Sequence, residues 1–121
     1  MKKKNKDSLN SQEKIIKAAV EEFAEFGFGG ARVDRIAENA GLNKAMIYYH
    51  YKSKEVLYES IIKNFTSKIF ENISNVPFEG VSPSEQLFSI INSYADYVST
   101  LDSDIKRLML RELAGGGKYI K

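Results

Sequence analysis

Apolar residues recur along this chain at spacings of three and four, the period of a helix lying on a core, and no segment keeps the period of two that marks a strand. Ile16, Ala19, Val20, Phe23 and Phe26 share one face of a first helix over residues 10–26. Asn10 and Glu13 have capping-box spacing at its start, and Gly27, Gly29 and Gly30 end it. Ile36, Ala37 and Ala40 mark a short second helix, and Met46 and Ile47 the inward side of a third. Ser53 caps a long fourth helix whose stripe of Val56, Leu57, Ile61, Phe65, Ile69 and Ile73 covers about five turns. Residues 75–81 form a loop. Ser82, Pro83 and Glu85 then combine an N-cap, a first-turn proline and a capping-box glutamate, so a fifth helix begins there, with Leu87, Ile90, Ile91, Tyr94 and Val98 on its apolar face. A break at 102–104 introduces a sixth with Ile105, Leu108, Met109 and Leu113, stopped by Gly115, Gly116 and Gly117.

The pattern predicts an all-α protein. A basic, disordered arm over 1–9 precedes a three-helix helix-turn-helix domain over 10–52, and residues 53–121 begin a second helical domain. At 121 residues with 43% hydrophobic content the chain is long enough to bury a core. The absence of cysteine rules out disulfides and thiolate metal sites, and suits a reducing cytoplasm. No apolar run approaches the ~18 residues of a membrane span, and the lysines that open the chain lead into no apolar signal region. The overall charge of +2 is too small to argue for nucleic acid, but its distribution is uneven. Residues 32–54 hold Arg32, Arg35, Lys44, Lys52 and Lys54 against Asp34 and Glu38, a local +3, whereas residues 61–121 balance seven cations with seven anions. Lys2, Lys3, Lys4 and Lys6 add a second basic cluster, read either as a solvated tail or as an arm that grips a DNA backbone.

The surplus coincides with the most informative segment, residues 34–54. Two short helical patterns meet there at Gly41, a residue free to take positive φ, and Asn43 stands where the second of them needs an N-cap. That is the layout of a DNA-reading helix-turn-helix. With Met46 and Ile47 turned inward, Lys44, Tyr48, Tyr49 and His50 remain to face outward, Lys44 in the first turn where the helix dipole also favours an anion. Adjacent tyrosines on a helix point about 100° apart, so at least one of Tyr48 and Tyr49 is exposed. Lys52 and Lys54 flank the next N-cap, Ser53.

The run from Ile36 to Leu57, with Ala18 to Phe28 ahead of it, resembles the tetracycline-repressor-like (TetR) family of bacterial regulators, the resemblance being carried by residues 12–60. It implies a dimeric repressor on a palindromic double-stranded operator, released by a small-molecule effector. It assigns Tyr48 and Lys54 to phosphates, and Lys44, Ala45 and Tyr49 to the major groove. Tyr51 takes the place of a core phenylalanine. Arg32 stands where the family most often has a threonine that caps the second helix and binds phosphate; arginine reaches a phosphate by charge but cannot cap, and Asp34 in the first turn offers a dipole substitute. Relatives of this kind continue past residue 121, so the second domain is expected to be incomplete.

Among the remaining residues, Phe65, Phe70, Phe88, Tyr94 and Tyr97 suggest an apolar effector pocket, set against the simpler role of core aromatics. No cofactor is implied. An enzyme is poorly supported, since the only histidine lies in the reading helix, there is no phosphate-binding Gly-Lys motif, and Glu21, Glu22 and Glu25 read as the wet face of the first helix, not as an acid/base pair. Two other readings stay open: a DNA-organising or partner-recruiting protein of the same architecture without effector control, and a helical interaction module whose helix-turn-helix serves only packing.

Overall fold

In the computed structural model, which describes residues 2–119 with side chains from residue 10 onward, the chain folds into six helices, with no strand among the described residues. They are α1 (Lys2–Gly30), α2 (Val33–Ala40), α3 (Lys44–His50), α4 (Lys54–Ser74), α5 (Pro83–Ser99) and α6 (Ser103–Ala114). The disordered arm expected over residues 1–9 is instead helical from Lys2, because nothing between there and Gly27 breaks a helix and α1 simply propagates past Asn10. The side chains of residues 1–9, and with them any grip of those lysines on DNA, lie outside the described residues.

Gly27 interrupts α1 with φ 72 and ψ 176, a conformation essentially confined to glycine. The turn it opens is held from three sides. Arg111 of α6 donates from Nε to the Ala24 carbonyl (2.8 Å) and from Nη2 to that of Glu25 (2.9 Å). Lys54 of α4 donates from Nζ to the carbonyls of Phe28 (2.8 Å) and Ala31 (3.2 Å), with its ammonium 4.6 Å from the centre of the Phe28 ring. Arg35 of α2 donates from Nη2 to the Gly30 carbonyl (3.0 Å) and lies over Phe26. Carbonyls orphaned by the end of a helix thus find cations from three other elements.

The buried face of α1 is Ile15, Ala18, Ala19, Glu22, Phe23 and Ala24, so that Ala19 and Phe23 of the expected face are buried while Ile16 and Val20 are half-buried and Phe26 is exposed. Glu22 occupies a core position, so a stripe traced through apolar residues alone slides sideways. The core is continuous: Ile36, Ala37 and Ile47 join Leu57, Tyr58, Ile61, Ile62 and Phe65 of α4 and Leu108 and Met109 of α6 around α1. No break in packing coincides with the boundary expected at residue 53. Tyr58 donates its hydroxyl to the buried carboxylate of Glu112 (2.6 Å), which also accepts the Tyr119 N–H (3.0 Å). Helix α5 starts at the expected capping box of Ser82 and Glu85 but buries no residue fully. Its Tyr97 ring meets Phe65 at 5.9 Å, while Leu87, Phe88, Ile91 and Tyr94 face out.

Candidate nucleic-acid interface

The helix-turn-helix is assembled as its residues dictate. Ile36 and Ala37 pin α2 to the core, and Gly41 closes it in the left-handed region at φ 70, its N–H and that of Leu42 returning to the carbonyls of Glu38 and Ala37. Asn43 caps α3 by accepting the Met46 N–H at 2.9 Å, and Ile47, 1% exposed, anchors it. The rest of α3 is thereby turned outward: Lys44, Ala45, Tyr48 and Tyr49 are all exposed, Tyr49 at 79% and Tyr48 at 44%. Exposed Lys52 follows, and Ser53 caps α4 by accepting the Val56 N–H.

Three of the expected site residues have a different setting. His50 is half-buried rather than outward; its ring meets the edge of Tyr49 at 5.1 Å, and Nε2 is enclosed without a hydrogen-bond partner among the described residues. Lys54 is half-buried, with two of its three N–H bonds spent on the turn after α1. Lys44 is exposed but pairs with Asp34 at 2.6 Å. Hydrogen bonding first, and charge second, hold the Asp34 carboxyl below its usual range and the Lys44 ammonium above its own. Asp34 therefore does more than face the α2 dipole: it tethers the first cation of the reading helix.

Arg32 is the N-cap of α2 without a side-chain cap bond, as its chemistry requires. Its backbone N–H instead goes to Glu22 Oε2 (3.0 Å), the same oxygen that accepts Arg35 Nε (2.8 Å). Glu21 and Glu25 lie on the expected wet face of the first helix, but Glu22 does not: it is 3% exposed, seven residues after Ile15 and so inside the period of the buried stripe, where Arg35 and the Arg32 N–H supply the donors its carboxylate needs. Tyr51 is half-buried against the core, where burial raises its hydroxyl and a hydrogen bond with Ser60 lowers it.

Beyond the reading module, a groove of about 490 Å³ opens among α4, α5 and α6. Phe65 and Tyr94 line it, together with Phe70, Ile69, Val98, Met109 and a single cation, Lys106. Phe88 is 67% exposed and takes no part, and Tyr97 faces a separate cavity shared with Tyr51 and Leu101. Among the described residues there is no cluster fit to hold a metal, and no helix is long and apolar enough to cross a membrane.

Residues 15–61 match the family described as bacterial regulatory proteins, tetR family. An HTH-type transcriptional repressor of Streptomyces coelicolor is 38% identical over 74 residues, 61% of this chain and 37% of that protein. The HTH-type transcriptional regulator RutR of Escherichia coli is 43% identical over 49 residues, 40% of this chain and 23% of RutR. The chain spans well under half the length of these curated relatives. Among solved structures, the fatty acid degradation regulator FadR from Bacillus halodurans superposes with a TM-score of 0.73 at 26% identity, covering 90% of this chain and 57% of that one. A TetR-like transcriptional regulator from Rhodococcus sp. RHA1 gives 0.76 at 24% identity, covering 91% and 59%, a likeness of fold alone.

Proposed function

We propose that this chain, which belongs to the tetR family of bacterial regulatory proteins, is a sequence-specific DNA-binding repressor that lays α3 in the major groove. The observation that carries the reading is the exposed stripe of Lys44, Ala45, Tyr48 and Tyr49 on a short helix fixed at its start by Asn43 and from below by Ile47. A helix held in this way presents base-reading groups without first having to order them. Arg32 and Lys52, both exposed, flank the stripe and supply phosphate contacts, and Tyr48 adds a hydroxyl. His50 and Lys54 sit behind this face and shape it.

In the same reading the protein works as a cytoplasmic homodimer, with two copies of α3 in successive major grooves about 34 to 36 Å apart on a palindromic operator. A small apolar effector in the groove among α4, α5 and α6 shifts that spacing and releases DNA. The protein carries no catalytic role. Enrichment of random duplexes on the protein gives the preferred site and its symmetry. Lys44→Ala and Tyr49→Ala are then expected to relax the preference at particular positions and to cost roughly 1 to 3 kcal/mol each. No enrichment, or equal weakening on enriched and random duplexes, would refute base reading by α3.

A further inference from the structure

We propose that Glu22 is a positioning residue of the DNA interface: its buried carboxylate secures the start of α2 from outside that helix and leaves the Arg32 guanidinium free to meet a phosphate. The inference rests on the DNA-binding reading above.

A helix whose N-cap is serine, threonine, aspartate or asparagine uses that side chain on its own first-turn amides. Arginine has no acceptor to offer. Arg32 is nevertheless the N-cap, since its carbonyl accepts the first bond of α2, from Ile36 N–H at 3.1 Å, and its backbone is extended at φ −126 and ψ 128. Its own N–H is anchored by Glu22 Oε2 at 3.0 Å. This bond is the one that the glutamate of a capping box makes, supplied here from α1. The negative charge also lies at the end of α2 where the helix dipole favours it.

The carboxylate is 2% exposed and its guanidinium partner, Arg35, is 38% exposed. Arg35 in turn reaches the Gly30 carbonyl and covers Phe26, so one network joins α1, the glycine turn and α2. Ion pairing alone gives little reason for an acid in this stripe, because a buried pair often does no better than a well-packed apolar residue. A leucine at position 22 would fill the space among its apolar neighbours. It could not accept the Arg32 N–H. The consequence lies on the other side of the backbone: the Arg32 side chain is exposed, and among the described residues its guanidinium makes no hydrogen bond or ion pair.

The test compares the chain with Arg32→Gln, Glu22→Leu and Glu22→Gln. Amide exchange is followed at residue 32, and binding to a mixed-sequence duplex is measured between about 50 and 200 mM salt. Arg32→Gln is expected to keep the residue-32 amide protected and to reduce the salt slope by about 1. Glu22→Leu is expected to speed that exchange about tenfold and to weaken binding, while Glu22→Gln, which retains an accepting oxygen, restores protection and the parent slope. Should the leucine variant fail to fold by circular dichroism, the two glutamine variants decide the matter. An unchanged slope in Arg32→Gln would overturn the proposal. So would unchanged exchange in a folded Glu22→Leu, or a Glu22→Gln variant as unprotected as the leucine one, which would assign everything to the ion pair with Arg35. Absence of salt-dependent binding by the parent chain would instead sink the DNA-binding reading itself.

Discussion

Lysine ammonium groups have three N–H bonds to place, and Lys54 places two of them on carbonyls 26 and 23 residues earlier in the chain. A residue expected at a phosphate thereby becomes part of the frame that holds the α1–α2 turn. Lys54→Ala is expected to cost about 1 to 3 kcal/mol of stability, measured by denaturant unfolding, and to change the salt slope of DNA binding by clearly less than 1. A full unit of slope with unchanged stability would return Lys54 to the phosphate backbone. Lys44 has the opposite problem, since its partner Asp34 competes with DNA for it. Asp34→Asn removes a negative charge from the proposed face, so affinity for mixed-sequence duplex is expected to rise several-fold and the salt dependence to steepen. Weaker binding by this variant would mean that Asp34 holds Lys44 in the position DNA requires. The outward stripe of α3 was legible because Met46 and Ile47 leave Lys44, Tyr48 and Tyr49 no inward place. The setting of Lys54 was not, because it depends on carbonyls brought near only by the tertiary fold.

Helix starts were readable at Asn43, Ser53 and Ser82, which each accept a backbone N–H from three residues ahead as their spacing implies, but not at Asn10, past which α1 runs on. The end of the first helical run at Gly27 was readable too, but the cations from α2, α4 and α6 that hold its carbonyls were not. The conformation of Gly27 is costly for any other residue, and a Cβ there would lie 3.2 Å from Arg111 Nη1. Gly27→Ala is therefore expected to lose about 1 to 3 kcal/mol in thermal or denaturant unfolding. A neutral outcome would mean that the turn relaxes without its latch. The contact between α4 and α6 through Tyr58 and Glu112 adds a pH dependence. Burial first, and the hydrogen bond and charge of Glu112 after it, push the Tyr58 hydroxyl well above the ordinary tyrosine range, and burial also raises Tyr51 and Tyr97. A tyrosine whose pKa is higher folded than unfolded adds stability that is complete below about pH 10 and lost as pH climbs from there toward the folded value. The midpoint of unfolding should hold up to about pH 10 and fall beyond it, with the share of tyrosinate absorbance due to Tyr51, Tyr58 and Tyr97 appearing in step with unfolding. Early absorbance from a folded chain by all three of these residues would contradict their burial.

At the scale of the molecule, the order of the helices and the all-α class were readable from period and punctuation, and the tight union of α1 with α6 was not, since no local pattern announces a partner some 87 residues away. In helix α5 only Ile90 and Val98 of the expected stripe are half-buried, beside Ser93 and Tyr97, while Leu87, Ile91 and Tyr94 are each about half exposed or more. Contiguous apolar surface of this kind drives association. Sedimentation of the 121-residue chain is expected to depend on concentration, and Leu87→Glu with Ile91→Glu to suppress that dependence. A monomer at all concentrations would show that the stripe is tolerated in water. The latch by Arg111 has a consequence in time. Chains leave the ribosome at about 5 to 20 residues per second, amino end first, so the helices that read DNA are all synthesised well before α6. Until residue 111 arrives, the carbonyls of Ala24 and Glu25 lack their guanidinium, and the turn leading into α2 is held by Lys54, Arg35 and Glu22. The turn that leads into the reading helices is thus secured late, by a side chain synthesised 87 residues after the carbonyl it holds.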